Sequence, residues 1–130
     1  MDKFWKQFKS GTDIRGVASE GVAGQKINLT DEVVEKISAG FVLWLSKKAN
    51  KPADQLIISV GHDSRISASR IQAAVTRALE PAGVTVYDCG LASTPSMFMT
   101  TVDLKCDGAV QITASHHPFN RNGLKFFTPD

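Results

Sequence analysis

The sequence predicts an α/β domain of three layers, with helices on both sides of a mixed, mainly parallel sheet, and three observations carry that prediction. Leu56-Ile57-Ile58-Ser59-Val60, Val84-Thr85-Val86-Tyr87-Asp88 and Gly108-Ala109-Val110-Gln111-Ile112 are short, apolar and rich in β-branched residues, the mark of buried strands. Longer segments beside them repeat apolar residues at helical spacing. A strand, a helix and a strand in succession form a right-handed crossover, which leaves the two strands parallel.

Residues 1–28 are rich in glycine and polar side chains, with a short strand expected over Asp13 to Val17. Glycines at 11, 16, 21 and 24 suggest loops that approach other groups closely or need positive φ. A helix then begins at Thr30, a suitable N-cap, with Asp31 and Glu32 favourable in its first turn. Val33, Val34, Ile37, Phe41, Trp44 and Leu45 form its core stripe, and Lys47-Lys48 suit its negative end. After the Leu56–Val60 strand, Ser67 is placed to cap a second helix with Ile71, Ala74, Val75, Ala78 and Leu79 on one face, stopped by Pro81 and Gly83. Thr94-Pro95 resembles a cap followed by the first helical position, opening a helix to about Leu104. Met97, Phe98, Thr101 and Val102 are expected near its buried face, with Met97 and Met99 as core filler. The last strand, Leu124 to Phe127, follows its predecessor too closely for a crossover and should run antiparallel to it.

Length and composition bound the function. The 130 residues fit one domain spanning 1–130. With 42% hydrophobic and 22% charged residues the composition is that of a soluble globular protein. A net charge of +2 on scattered Lys and Arg argues against nucleic acid or a membrane surface as partner. The amino terminus alternates charge with aromatics and lacks the apolar core of a secretory signal, and the apolar patch from Ala39 to Leu45 is far too short to span a bilayer. Cys89 and Cys106, without metal-ligand spacing, suit reduced thiols in the cytoplasm better than a disulfide.

The chemistry is concentrated after the third strand, in Thr113-Ala114-Ser115-His116-His117-Pro118 and its continuation Phe119-Asn120-Arg121-Asn122-Gly123-Leu124-Lys125. Ser115 falls where a strand ends, and ligands of α/β sheets bind at the carboxyl ends of strands. That makes it a candidate nucleophile, although these residue types also build ordinary turns. A serine hydrolase needs an acid–histidine relay and a strained elbow that this run does not supply. Zinc on His116-His117 lacks a spaced third ligand. Phosphoryl chemistry fits better: a phosphoserine at 115 carries about two negative charges at neutral pH and needs cations, for which Arg15, Lys125 and His116 are the candidates. Arg15 offers a forked set of donors matched to phosphate, with Thr12 beside it.

Thr113 to Pro118 closely resembles the catalytic serine loop of the α-D-phosphohexomutases, the phosphoglucomutase and phosphomannomutase family, usually T-A-S-H-N-P. Gly11-Thr12-Asp13-Ile14-Arg15-Gly16 and Gly61-His62-Asp63-Ser64-Arg65 resemble further signatures of that family in the same order, and Thr94-Pro95 also has its counterpart there. His62 stands where arginine is usual and His117 where asparagine is usual, the marks of a divergent member.

The resemblance implies a cycle in which phosphoserine 115 gives its phosphoryl group to a hexose 1- or 6-phosphate. The bisphosphate then reorients and returns the other phosphoryl group, interconverting the two monophosphates. It implies Arg15 and Thr12 in the cleft near substrate, Lys125 binding substrate and serving as general acid or base, and Asp63 and Arg65 as internal support. It also implies Mg²⁺ held through the phosphate on Ser115, its other ligands being aspartates of a D-G-D-x-D-R loop in a later domain. The similarity covers almost all of this chain but only the first of the family's four domains, so the remaining domains are expected partners and the isolated domain is expected to fold without turning over. The alternative is a phosphosugar- or anion-binding module that keeps the fold without the reaction.

Overall fold

The computed structural model describes residues 3–10, 13–21, 23–113 and 120–129. A four-residue helix, α1 (Lys3–Lys6), and a short strand, β1 (Lys9–Ser10), precede β2 (Asp13–Val17). There follow α2 (Asp31–Ala49), β3 (Ile57–His62), α3 (Ala68–Leu79), β4 (Thr85–Leu91), α4 (Thr94–Asp103), β5 (Gly108–Ile112) and β6 (Arg121–Phe127).

The six strands form one sheet in the order β1-β2-β6-β5-β3-β4. β3 pairs with β4 and β5 in parallel, whereas β6 is antiparallel to both β5 and β2, and β1 is antiparallel to β2. Thus β2, β3, β4 and β5 point one way and β1 and β6 the other, the mixed sheet expected from the sequence, with two of its five pairings parallel and three antiparallel.

Pleating assigns the two faces. Ile58, Val60, Val110, Ile112 and Leu124 have 0% exposure and share a core with Val34 and Leu45 of α2 and Ile71, Val75 and Leu79 of α3. The opposite face meets α4. A Cβ at Gly61 would lie 2.5 Å from Met97 Sδ, so only glycine lets this helix approach β3 so closely. Ser59 and Thr101 hydroxyls bond at 3.0 Å across the same contact. These are the three layers. Among the described residues, no helix is long and apolar enough to cross a membrane.

Capping explains the helix ends. Thr30 Oγ1 accepts from the Val33 N–H at 3.3 Å, and Asn50 closes α2 in the left-handed conformation with φ 54°. Ser67 occupies the expected cap of α3, but with ψ near 0° its hydroxyl does not bond the helix and accepts from Asn122 Nδ2 instead. The cap of α4 is Ser93, not Thr94: extended at ψ 160°, its Oγ accepts from the Ser96 N–H at 3.2 Å, which moves Pro95 one position inward.

Three aromatic or apolar side chains assigned to the core lie outside it, together with Met99. Trp44 is 52% exposed, stacked on Phe41 at the rim, because Phe41 and Leu45 already fill the stripe facing the sheet. On α4 only Met97 and Thr101 are buried, and Phe98, Val102 and Met99 are exposed. One helix lying on two strands covers too narrow a strip of its own surface to bury apolar residues spread as widely as Met97, Phe98, Met99 and Val102. Both cysteines are free thiols, Cys106 buried and Cys89 half-buried.

Candidate functional site at the carboxyl ends of the strands

Register brings the separate motifs together. Ile112 lies opposite Leu124, and Leu124 opposite Ile14, while Arg15 lies opposite Gly123. Arg15 therefore stands level with Thr113, just beyond the carboxyl end of β5. By pleating, Asp13, Arg15, Gly123, Lys125 and Gln111 share the face on which α4 lies.

Arg15 is 3% exposed. Its Nη1 donates to the Ile14 carbonyl at 2.9 Å and its Nη2 to Asp13 Oδ2 at 3.3 Å. Its stem crosses β6 at Gly123, where an added Cβ would lie 2.7 Å from Arg15 Cδ and 2.8 Å from Nη1. That close crossing explains why glycine is needed there. Lys125 reaches the same carboxylate, Nζ to Asp13 Oδ2 at 3.4 Å. Burial pulls the Arg15 guanidinium below its ordinary pKa; Asp13 and Asp63 oppose the shift, and the positive charges of Arg65 and Arg121 add to it. An arginine keeps its charge through such a shift.

Asp63 and Arg65 form the second part of the site. Asp63 Oδ1 accepts from the Arg65 N–H at 3.1 Å, and its Oδ2 accepts from Thr113 Oγ1 at 2.9 Å and lies 3.5 Å from Arg65 Nε. Arg65 Nη1 donates to the Arg121 carbonyl at 3.3 Å. The pair thus links the end of β3 to Thr113 on one side and Arg121 on the other. His62 turns back on its own strand, Nδ1 lying 2.7 Å from the Asp63 carbonyl.

Of the residues singled out in the sequence, Arg15 and Lys125 converge, and Asp63 and Arg65 bond each other beside them. Thr12, Ser115, His116 and His117 lie outside the described residues. Asp13 and Arg121 went unnoticed in the sequence. Both had a signal, since alternation along β2 puts Asp13 on the same face as Arg15, and alternation along β6 puts Arg121 on the same face as Lys125. Among the described residues Arg121 Nε is buried without a hydrogen-bond partner. A separate groove of about 860 Å³, lined by Phe41, Trp44, Phe98, Phe126 and Phe127, contains no charged lining residue and does not suit a phosphate.

The described residues do not by themselves fit a magnesium ion. Asp13 is committed to Arg15 and Lys125, and Asp63 to Arg65 and Thr113. Among the described residues, no group of three or more His, Cys, Asp or Glu side chains comes together to hold a metal.

Residues 6–130 match the family model of phosphoglucomutase/phosphomannomutase, alpha/beta/alpha domain I. The chain belongs to that family. Within it, the chain is 37% identical over 117 residues to the phosphoglucosamine mutase of Campylobacter fetus subsp. fetus, covering 90% of this chain and 24% of that protein. It is also 37% identical over 133 residues to the phosphoglucosamine mutase of Oceanobacillus iheyensis, covering 100% of this chain and 26% of the relative. A solved structure from Thermus thermophilus, proposed to be a phosphomannomutase, superposes with a TM-score of 0.74 at 26% identity, over 94% of this chain and 26% of that one. This member of the phosphoglucomutase/phosphomannomutase family thus spans about a quarter of the length of the curated relatives it matches.

Proposed function

We propose that this domain carries the phosphoserine of a phosphohexomutase and binds its phosphate at Arg15 and Lys125. The supporting observation is the convergence of these two cations on Asp13, level with the carboxyl end of β5, although Lys125 lies 112 residues from Asp13 in the chain. Phosphoryl transfer depends mainly on position and charge neutralisation, and a phosphate flanked by arginine and lysine is what it requires.

In this reading the Ser115 O–P bond breaks as a sugar hydroxyl oxygen bonds the phosphorus; the hydroxyl proton leaves and the serine oxygen regains one. Lys125 moves that proton while Arg15 holds the phosphate oxygens and His116 adds charge. After reorientation the reverse transfer from the other sugar position restores phosphoserine. The reading also gives Thr12 a substrate-binding role. The magnesium ion that the family resemblance implies would take an oxygen of the phosphate on Ser115, with its other ligands coming from aspartates of a later domain, and the other domains complete the sugar site in the cytoplasm. The names of the relatives make a glucosamine phosphate the first substrate to test, ahead of glucose and mannose phosphates.

The test is a mutase assay with these three sugar 1-phosphates on the full protein containing residues 1–130, with and without Ser115→Ala. Loss of turnover with the substitution, together with a phosphate mass on the peptide holding Ser115 in the parent, is expected. Turnover that survives Ser115→Ala sinks the mechanism; phosphate binding with no turnover on any sugar phosphate favours the non-catalytic binding module.

A further inference from the structure

Asp13 is the one carboxylate among the described residues that touches both cations of the proposed phosphate site, 3.3 Å from Arg15 Nη2 and 3.4 Å from Lys125 Nζ through the same oxygen, Oδ2. The two cations are held very differently. Arg15 is 3% exposed, bonded to the Ile14 carbonyl and seated against Gly123, so it stays where it is. Lys125 has a side chain 37% exposed on a flexible stem, so it is able to change partner.

The charge around Arg15 is unbalanced. Among the described residues, Arg15, Arg65, Arg121 and Lys125 oppose Asp13 and Asp63, leaving two positive charges in excess. Resting on the reading of this site as a phosphate site, we propose that Asp13 is a specificity-determining residue: an internal counter-ion whose hold on Lys125 a phosphate dianion displaces and a monoanion does not. With the Asp13 carboxylate displaced the excess is three positive charges; a monoanion only restores it to two and gains nothing, whereas a dianion lowers it to one. A tetrahedral phosphate also offers oxygens to the guanidinium and the ammonium together. Asp13 therefore makes the site answer to phosphate monoesters and not to the chloride and other monoanions that surround it.

The experiment is calorimetric titration at pH 8 with inorganic phosphate as the dianion and nitrate as the monoanion, on the parent chain, Asp13→Asn, Lys125→Met and the double variant, each checked for native circular dichroism. Removing the competing carboxylate should tighten phosphate binding about fivefold, and nitrate binding by more, so that the preference for phosphate over nitrate falls about tenfold. In the Lys125→Met background, Asp13→Asn should change phosphate affinity by less than about twofold, because the contest is over that lysine. Asp13→Ser repeats the test with a smaller side chain should Asp13→Asn misfold. Weaker phosphate binding in Asp13→Asn, an unchanged preference, or the same gain with and without Lys125 would each overturn the proposal. A parent chain that gives no phosphate heat, with none from any variant, refutes the anion site itself and so is distinguishable.

Discussion

Replacing Gly123 by alanine is the most direct challenge to the packing that holds Arg15. The new methyl would lie 2.7 Å from Arg15 Cδ and 2.8 Å from Nη1, and would also meet the carbonyl oxygen of Ile14. Carbon atoms pack comfortably at about 3.5–4.0 Å, so the guanidinium stem and the backbone of β2 must both give way by most of an ångström. Moving the side chain alone does not relieve the clash, because the Ile14 oxygen belongs to the strand paired with β6. Overpacking of this kind costs about 1–3 kcal/mol, and the backbone clash puts Gly123→Ala near the upper half, about 2–3 kcal/mol. With an unfolding entropy of about 2.1 cal/mol/K per residue, each kcal/mol moves the melting temperature of a chain this long by about 4 °C. Thermal unfolding followed by circular dichroism should therefore show a loss of about 8–12 °C. A melting temperature within about 2 °C of the parent would refute the claim that β2 and β6 are closed tightly around Arg15.

Two further perturbations test the frame. Arg70 Nη2 donates to the carbonyls of Ala18 at 2.7 Å and Leu29 at 3.0 Å while Nη1 pairs with Asp31 at 2.5 Å, so it fastens the exit of β2 to the start of α2. Arg70→Met leaves those carbonyls without this donor and should lower stability by about 1–3 kcal/mol, read as a lower urea midpoint with an unchanged slope; an unchanged midpoint would show the clamp to be idle. Burial pushes the Cys106 thiol above its ordinary pKa, with a hydrogen bond involving Ser59 opposing. A raised folded value means that this contribution is complete below the unfolded thiol's pKa and is lost as pH rises from there through the folded value. The parent should thus lose stability above about pH 8.5, and Cys106→Ala, though less stable at neutral pH, should lose less over that interval in urea titrations from about pH 7 to 10; equal losses would contradict the shift.

Local pattern alone determined much of the molecule. Gly108–Ile112 is the strand foreseen, the Thr30 cap opens α2, and the antiparallel turn-back of β6 follows from a loop too short for a crossover. Motif resemblance marked Arg15, Lys125, Asp63 and Arg65 in the sequence; Asp63 and Arg65 follow the end of β3, whereas Arg15 and Lys125 stand inside β2 and β6. Burial on α4 was not legible. Sequence spacing says which residues share a face, while Phe98, Met99 and Val102 are exposed because nothing in the described fold covers that face.

What only the tertiary structure decided is the company that the motifs keep. β2 and β6 are adjacent although about a hundred residues separate them, and that pairing puts Asp13 between Arg15 and Lys125 and makes Gly123 the floor under the guanidinium. Element type follows from the periodicity of neighbouring residues, which a sequence displays directly. Strand order and register arise instead from the joint burial of all the apolar faces, and they alone determine which distant charges meet.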